Sequence, residues 1–165
     1  MEFTITAMCA DDWKQVRAIY VEGIATGQAT FQTEAPEWAE FDAGHWPHCR
    51  LVACVGNGIL GWAALSPSSK RACYGGVAEV SVYIAAAARG QGIGNALMAS
   101  LIAEAERQGI WTLWSSVFPE NTVSIRLHLR HGFREIGRRE RIAKLHGVWR
   151  DTILLERRSR LVGLD

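Results

Sequence analysis

The stretch Val77-Ala78-Glu79-Val80-Ser81-Val82-Tyr83-Ile84, then four alanines, then Arg89-Gly90-Gln91-Gly92-Ile93-Gly94, decides the architecture of this chain. The first part is an apolar run of strand length with one acid in it. The second is a glycine-rich turn that opens a helix to about Gln108, with Ile93, Leu97, Leu101, Ile102 and Ala105 as its apolar stripe. The first turn of a helix carries backbone N–H groups without internal partners, and the helix dipole adds partial positive charge there. Glycines remove the Cβ atoms that would block close approach, so an anion such as a pyrophosphate can sit on those amides. Arg89 adds a charged donor fork.

Two common phosphate loops do not fit. A dinucleotide loop needs G-x-G-x-x-G and an acid ending the next strand. Here the glycines fall as G-x-G-x-G, and the next strand offers only Glu120, beyond Pro119. A P-loop needs G-K-[ST], which Gly94-Asn95-Ala96 does not supply.

Working outward, Phe3 to Ala7 reads as a short strand. Asp11 or Asp12 caps a helix running to about Ile24, and Pro36 starts a second helix over Glu37 to Ala43. Arg50 to Val55 and Ile59 to Leu65 flank Gly56-Asn57-Gly58, a hairpin signal. After the glycine turn and its helix come a buried strand, Ile110 to Phe118, and a helix capped by Asn121 or Thr122 and stopped at Gly132. A last hairpin, Phe133 to Ala143 and Val148 to Leu155, turns at Lys144-Leu145-His146-Gly147. The order is β-α-α-β-β-β-α-β-α-β-β, a mixed α/β chain.

The 165 residues, 48% apolar, suit a single domain over 1–165. A net charge of +1 speaks against a general nucleic-acid binder, since the basic stretch from Arg134 to Arg160 is broken by acids. No apolar run reaches the ~20 residues of a membrane span, and Met1 to Thr6 does not read as a signal peptide. Cys9, Cys49, Cys54 and Cys73 lack metal-site spacing and read as free thiols of a cytoplasmic protein. His45-Trp46-Pro47-His48 is read as a loop and not as a metal site.

R-x-x-G-x-G opening a helix behind Glu79 to Ile84 resembles the GNAT (GCN5-related) N-acetyltransferase superfamily, over about Phe3 to Arg158. The resemblance implies a mostly antiparallel central sheet with flanking helices and a splayed parallel strand pair. It also implies that the turn Arg89, Gly90, Gln91, Gly92, Ile93, Gly94 and Asn95 holds the pyrophosphate of acetyl-CoA. Ala29-Thr30-Phe31-Gln32-Thr33, Phe118-Pro119-Glu120-Asn121, Ser124-Ile125-Arg126-Leu127-His128 and Gly147-Val148-Trp149-Arg150-Asp151 resemble the phosphinothricin and methionine sulfoximine/sulfone acetyltransferase branch. That branch implies a small amino-acid analogue as acceptor, a detoxifying role and a homodimer. In such a dimer the tip from Lys144 to Trp149 would reach a partner's pocket.

N-acetylation needs a deprotonated amine, a polarised thioester carbonyl and an outlet for the thiolate. Glu79, an acid in an apolar strand, is the candidate base, because burial raises a carboxyl pKa toward neutrality. His128, where many superfamily members carry tyrosine, can give or take a proton; acid and base both stay open. By resemblance Asn121 and Ser124 contact the cofactor, and the backbone of Val82, Tyr83 and Ile84 pairs with pantetheine as an added strand would. Arg71 can clamp an acceptor carboxylate. Phe31, Tyr74, Ser81 and Trp149 are the other acceptor-side candidates, and no metal is expected. A peptide or protein N-terminal acetyltransferase, or a non-catalytic CoA-binding regulatory module, are the rival readings.

Overall fold

The computed structural model describes residues 2–165. Its elements are β1 (Thr4–Ala7), α1 (Trp13–Ala25), α2 (Trp38–Gly44), β2 (Arg50–Val55), β3 (Gly58–Pro67), β4 (Val77–Ile84), α3 (Ile93–Arg107), β5 (Thr112–Val117), α4 (Thr122–Arg130), β6 (Arg134–Leu145) and β7 (Val148–Arg158). This is the expected order. The strands form one seven-stranded sheet in the order β1-β2-β3-β4-β5-β7-β6. Every neighbouring pair is antiparallel except β4 with β5. Among the described residues, no helix is long and apolar enough to cross a membrane.

Two details differ from the sequence expectation. Asp12 does not cap α1 with its side chain. Its carboxylate instead accepts from the Cys9 N–H at 2.8 Å and closes the 3-10 turn that precedes the helix. The last hairpin is also tighter than expected. Lys144 pairs with Trp149 and Leu145 with Val148, which leaves a two-residue turn. His146 (φ 49°) and Gly147 (φ 80°) both take left-handed backbone there, as a turn matched to strand twist requires.

Strand alternation divides the core in two. Ala63, Leu65, Ala78, Val80, Leu113, Ile153 and Leu155 face α3, packing on Leu97, Met98 and Leu101. Val52, Trp62 and Ala64 face the other way, onto Trp13, Val16 and Ile19 of α1 and Phe41 of α2. Area of this kind stabilises by roughly 25 cal/mol per Å² of apolar surface removed from water. The α1/α2 layer packs on β2, β3 and, through Tyr83, β4, so among the described residues the β5-β7-β6 part of that face has no helix over it.

β4 pairs with β3 along nearly its whole length, from Ala78 to Ile84. Its pairing with β5 stops after three rungs, Val77 with Thr112, Ala78 with Leu113 and Glu79 with Trp114. Beyond Glu79 the two strands part, and a slot opens through the sheet.

Candidate active site

The slot exposes one strand edge. Ala85 N–H donates to the Leu60 carbonyl (2.8 Å), and the Val77 carbonyl accepts from Ser68 N–H (3.4 Å). Odd-numbered residues of β4 therefore direct their backbone groups to β3. Alternation turns the N–H and C=O of Val82 and Ile84 toward the open slot. Tyr83, expected in the same role, has its backbone directed to β3 and contributes its ring to the site.

The slot leads to the glycine turn. Gly90 (φ 76°) and Gly92 (φ 82°) hold left-handed backbone, and nothing lies within 4 Å of where a Cβ would stand on either. Gly92 is the N-cap of α3, and no side chain satisfies the first-turn amides. A concave row of free N–H donors at a 15-residue helix suits a pyrophosphate. Arg89 lines the same cleft. The Ile93 side chain is buried in the core, so only its backbone is available. Asn95 Oδ1 lies 3.3 Å from His131 Nε2, and Gln91 Nε2 donates to the Ala87 carbonyl at 3.3 Å. Across the slot, Asn121 Oδ1 caps α4 by accepting from Ser124 N–H (3.2 Å), while its Nδ2 donates to the Gln28 carbonyl (3.1 Å). These free amides and the unpaired β4 edge fit the phosphates and amides of acetyl-CoA, with Arg89, Gly90, Gly92, Val82, Ile84, Asn121 and Ser124 as the groups that would hold it.

His128 stands on α4, buried, with its ring edge-on to Phe133 at 4.9 Å. Its Nδ1 is 2.7 Å from the Ser124 carbonyl, which can only accept, so the proton sits on Nδ1. Nε2 is left as a lone pair, buried and without a partner, in a side chain that lines the cleft. Burial holds the imidazole below its ordinary pKa, against the opposing pull of the Ser124 carbonyl. Neutral imidazole is the form this environment favours.

Glu79 occupies the last paired rung before the slot. Its carboxyl is half-buried, and desolvation raises its pKa, partly offset by the Arg139 charge. Ser81 and Tyr83 follow it on the same face. The Tyr83 ring stacks on Trp62 (4.8 Å, 14°) and meets Tyr20 edge-on at 4.8 Å. Burial pushes its hydroxyl well above the ordinary value. Gly23 of α1 makes this fit possible, because a Cβ there would stand 2.5 Å from Tyr83 Cδ1.

A cleft of about 870 Å³ joins these groups. Glu79, His128, Ser81, Phe31, Arg89, Asn121, Ser124, Val82, Tyr83 and Ile84 all line it. Phe31 packs edge-on against Phe118 at 4.9 Å. Arg150 fastens the segment before Phe31, donating to the Gly27 carbonyl (2.9 Å) and Gln28 Oε1 (2.8 Å) while lying 4.0 Å over the Phe118 ring. Three expected acceptor residues stand elsewhere. Arg71 and Tyr74 stack on each other at an exposed 3-10 turn before β4. Trp149 is 52% exposed at the hairpin tip, beneath the Lys144 ammonium.

Sequence reasoning missed Ser115, Ser116, Thr152 and His45, which all line the cleft. The alternation of β5 is a usable signal for Ser116, which faces away from α3, but not for Ser115, whose partner Leu155 is on the α3 side. His45 had none. Its Nδ1 donates to the Phe41 carbonyl (2.8 Å) and its carbonyl accepts from Arg50 (2.7 Å), so a loop residue is held rigidly against the cleft.

The sequence model of the Acetyltransferase (GNAT) family matches residues 9–133. A phosphinothricin N-acetyltransferase of Alcaligenes faecalis is 35% identical over 93% of this chain and 81% of its own length. An L-methionine sulfoximine/L-methionine sulfone acetyltransferase of Pseudomonas aeruginosa is 30% identical over 81% of this chain and 73% of its own. The crystal structure of a GNAT superfamily phosphinothricin acetyltransferase from Sinorhizobium meliloti, in complex with AcCoA, aligns with a TM-score of 0.89 at 26% identity, covering 100% of this chain and 92% of that one.

Proposed function

This chain belongs to the GNAT acetyltransferase family, and we propose that the amine it acetylates is that of a small amino-acid analogue of the phosphinothricin, methionine sulfoximine or methionine sulfone type, with Glu79 as base. The observation that carries this is the position of Glu79. It is the last paired residue of β4, at the point where the cofactor edge meets the open acceptor face.

Acetyl-CoA, when bound, supplies the thioester whose acetyl group is transferred. Glu79, its carboxyl pKa raised by burial, takes the proton from the acceptor ammonium, directly or through water, and frees the nitrogen lone pair. The backbone N–H groups of the β4 edge polarise the carbonyl under attack. The C–N bond forms and the C–S bond breaks; the sulfur leaves with the bonding electron pair, and the second proton shed by the attacking nitrogen passes to it, giving the amide and the CoA thiol. His128, with Nδ1–H held by the Ser124 carbonyl, presents Nε2 as an acceptor for a water or for the S–H of the departing thiol. In this state it is not the donating acid.

The enzyme acts as a single domain over 1–165, in the cytoplasm, as a homodimer. The edge hairpin β6–β7 carries exposed Ile136, Ile142, Val148 and Trp149, which a second copy would cover. Through it the tip from Lys144 to Trp149 would reach the acceptor pocket of the partner. A peptide acceptor would need an open groove; the fastening of the Gly27–Gln28 segment before Phe31 by Arg150 supports the smaller acceptor.

The test is release of CoA thiol from acetyl-CoA with methionine sulfone, methionine sulfoximine, phosphinothricin, free amino acids and short peptides in parallel. Turnover is expected on the amino-acid analogues. Turnover on peptides alone would make this an N-terminal acetyltransferase. Stoichiometric acetyl-CoA binding without release on any amine would make it a regulatory module.

A further inference from the structure

One titratable side chain on the acceptor side has no part in the reaction above. His45 follows α2, in the loop that leads to β2. The Trp46 N–H donates to the Leu65 carbonyl of β3 at 3.0 Å and ties this loop to that strand. The next residue of β3, Ser66, stands opposite Glu79 of β4. The His45 ring stacks on Phe41 at 3.9 Å and 20°, and Phe41 belongs to the layer that covers Trp62 and Ala64. Alternation puts Ser66 on that same face, and the pairing of Trp62 with Tyr83 puts Ser81 and Glu79 there too. His45, Ser66, Ser81 and Glu79 all line the cleft.

The loop is fixed by a buried charge. Arg50, 7% exposed, donates to the carbonyls of Asp42 (2.9 Å), His45 (2.7 Å) and Trp46 and to the Asp42 carboxylate. Its guanidinium also lies 5.7 Å from the Trp38 ring centroid. A buried charge is tolerated only where hydrogen bonds satisfy it, and here they go to the backbone at and around His45. Between the two residues Cys49 takes φ 58°, a left-handed conformation that is costly for a residue with a side chain. Such strain persists where the surroundings over-determine the backbone.

The tautomer of His45 is fixed as well. Its Nδ1 lies 2.8 Å from the Phe41 carbonyl, which can only accept, so the proton sits on Nδ1 and the lone pair on Nε2. His128 is set by the same device, with Nδ1–H on the carbonyl four residues back. Burial and the Arg50 charge hold the His45 imidazole below its ordinary pKa, against the pull of the Phe41 carbonyl, so the neutral ring is favoured. Among the described residues Nε2 has no hydrogen-bond partner. The ring borders open space, because His45 lines both the cleft and an adjoining cavity of about 510 Å³ that it shares with Tyr20 and Trp62.

We propose that His45 Nε2 is a second contact for the acceptor nitrogen, accepting one N–H of the ammonium that Glu79 deprotonates. An ammonium has three N–H donors, and Glu79 uses one. A neutral imidazole supplies a lone pair without a charge. An α-ammonium, with a pKa of about 7.7–8.0, does not give its proton to an imidazole held below about 6.5, so His45 binds and orients while Glu79 takes the proton. A nitrogen held at two of its bonds cannot turn freely, which fixes how it meets the thioester. The contact presupposes the proposed reaction at Glu79.

The test uses two amides. In His45→Asn the amide N–H falls near the place of Nδ1 and can keep the bond to Phe41, but nothing replaces Nε2. In His45→Gln the amide oxygen falls near Nε2, and the bond to Phe41 is lost. His45→Asn is expected to raise KM for methionine sulfone about 10-fold, with a lower kcat and a Tm close to that of the wild type. His45→Gln is expected to keep KM within about threefold at a lower Tm. Both should leave acetyl-CoA Kd unchanged. Calorimetry reads the contact without turnover: His45→Asn should weaken Kd for methionine sulfone about 10-fold and that for its desamino analogue less than about twofold. Equal losses on the two compounds, or an Asn variant like the wild type beside a failing Gln variant, overturn the contact and leave His45 as loop support. If the wild type acetylates peptides alone, the accepted peptide and its desamino form replace the pair. If it acetylates no amine, an amine-dependent effect of His45→Asn on Kd keeps the contact and sinks the proposed reaction. Binding that ignores His45, or no binding at all, sinks the contact.

Discussion

The two sides of the slot are built from different materials. The acetyl-CoA side is mostly backbone: the free edge of Val82 and Ile84, the turn around Gly90 and Gly92, and the first turns of α3 and α4. It comes from short contiguous segments. The acceptor side is mostly side chains, with Tyr20, Thr30, Phe31, His45, Glu79, Ser81, Ser116 and Thr152 gathered from segments spread over most of the chain. A backbone site recognises a ligand common to a family and tolerates sequence change. A side-chain site sets which acceptor is chosen, and each substitution alters it.

The largest effect that sharpens this contrast is expected at the junction. Glu79→Gln should lower kcat/KM for any amine acceptor by about 10²–10⁴-fold while leaving the calorimetric Kd of acetyl-CoA unchanged. Its Tm at pH 7 should equal or exceed that of the wild type. The folded pKa of Glu79 is raised, so its contribution to stability is present at low pH and lost as pH rises through that pKa. At pH 7 the ionised carboxylate costs stability, and glutamine removes the cost.

Next comes the backbone side. Gly92→Ala places a Cβ on a residue at φ 82°, at a cost of about 1–2 kcal/mol. Acetyl-CoA Kd should weaken about tenfold, and acceptor KM at saturating acetyl-CoA should hold. Gly23→Ala is the mirror experiment. The Tyr83 ring must move, so Tm should fall by the equivalent of about 1–3 kcal/mol and acceptor KM should rise, with acetyl-CoA Kd unchanged. If either glycine variant altered both ligands alike, the two sides would not be separable. The smallest effect is expected at the hairpin tip. Trp149→Ala should raise acceptor KM a few-fold in a protein that sediments at twice the chain mass; a monomer indifferent to this change would remove the hairpin from the site.

The same contrast explains what could be read beforehand. The glycine turn, the β4 strand and the α4 cap each lie in one short window, where local spacing carries the physics. Glu79 was legible because one acid in an apolar strand has few other uses. Thr152 and Ser116 are ordinary polar positions in alternating strands. Their convergence depends on strand register, which no local pattern announces. Arg71, Tyr74 and Trp149 lie close in sequence to the β4 strand or the hairpin turn, but the structure puts them on an exposed turn and an exposed tip. The splay beyond Glu79 leaves no mark in periodicity, because Val80 to Ile84 reads as strand with or without a neighbour.

The most direct test of Glu79 as the base at the junction is the pH dependence of kcat/KM for methionine sulfone in the wild type and in Glu79→Gln. The wild type should show an acid limb with its midpoint above the ordinary glutamate value of about 4.3, because burial raises this carboxyl. The variant should lose at least about 100-fold in rate and lose that limb. A variant that keeps wild-type rates and the same limb would contradict the assignment and move the proton transfer to another group.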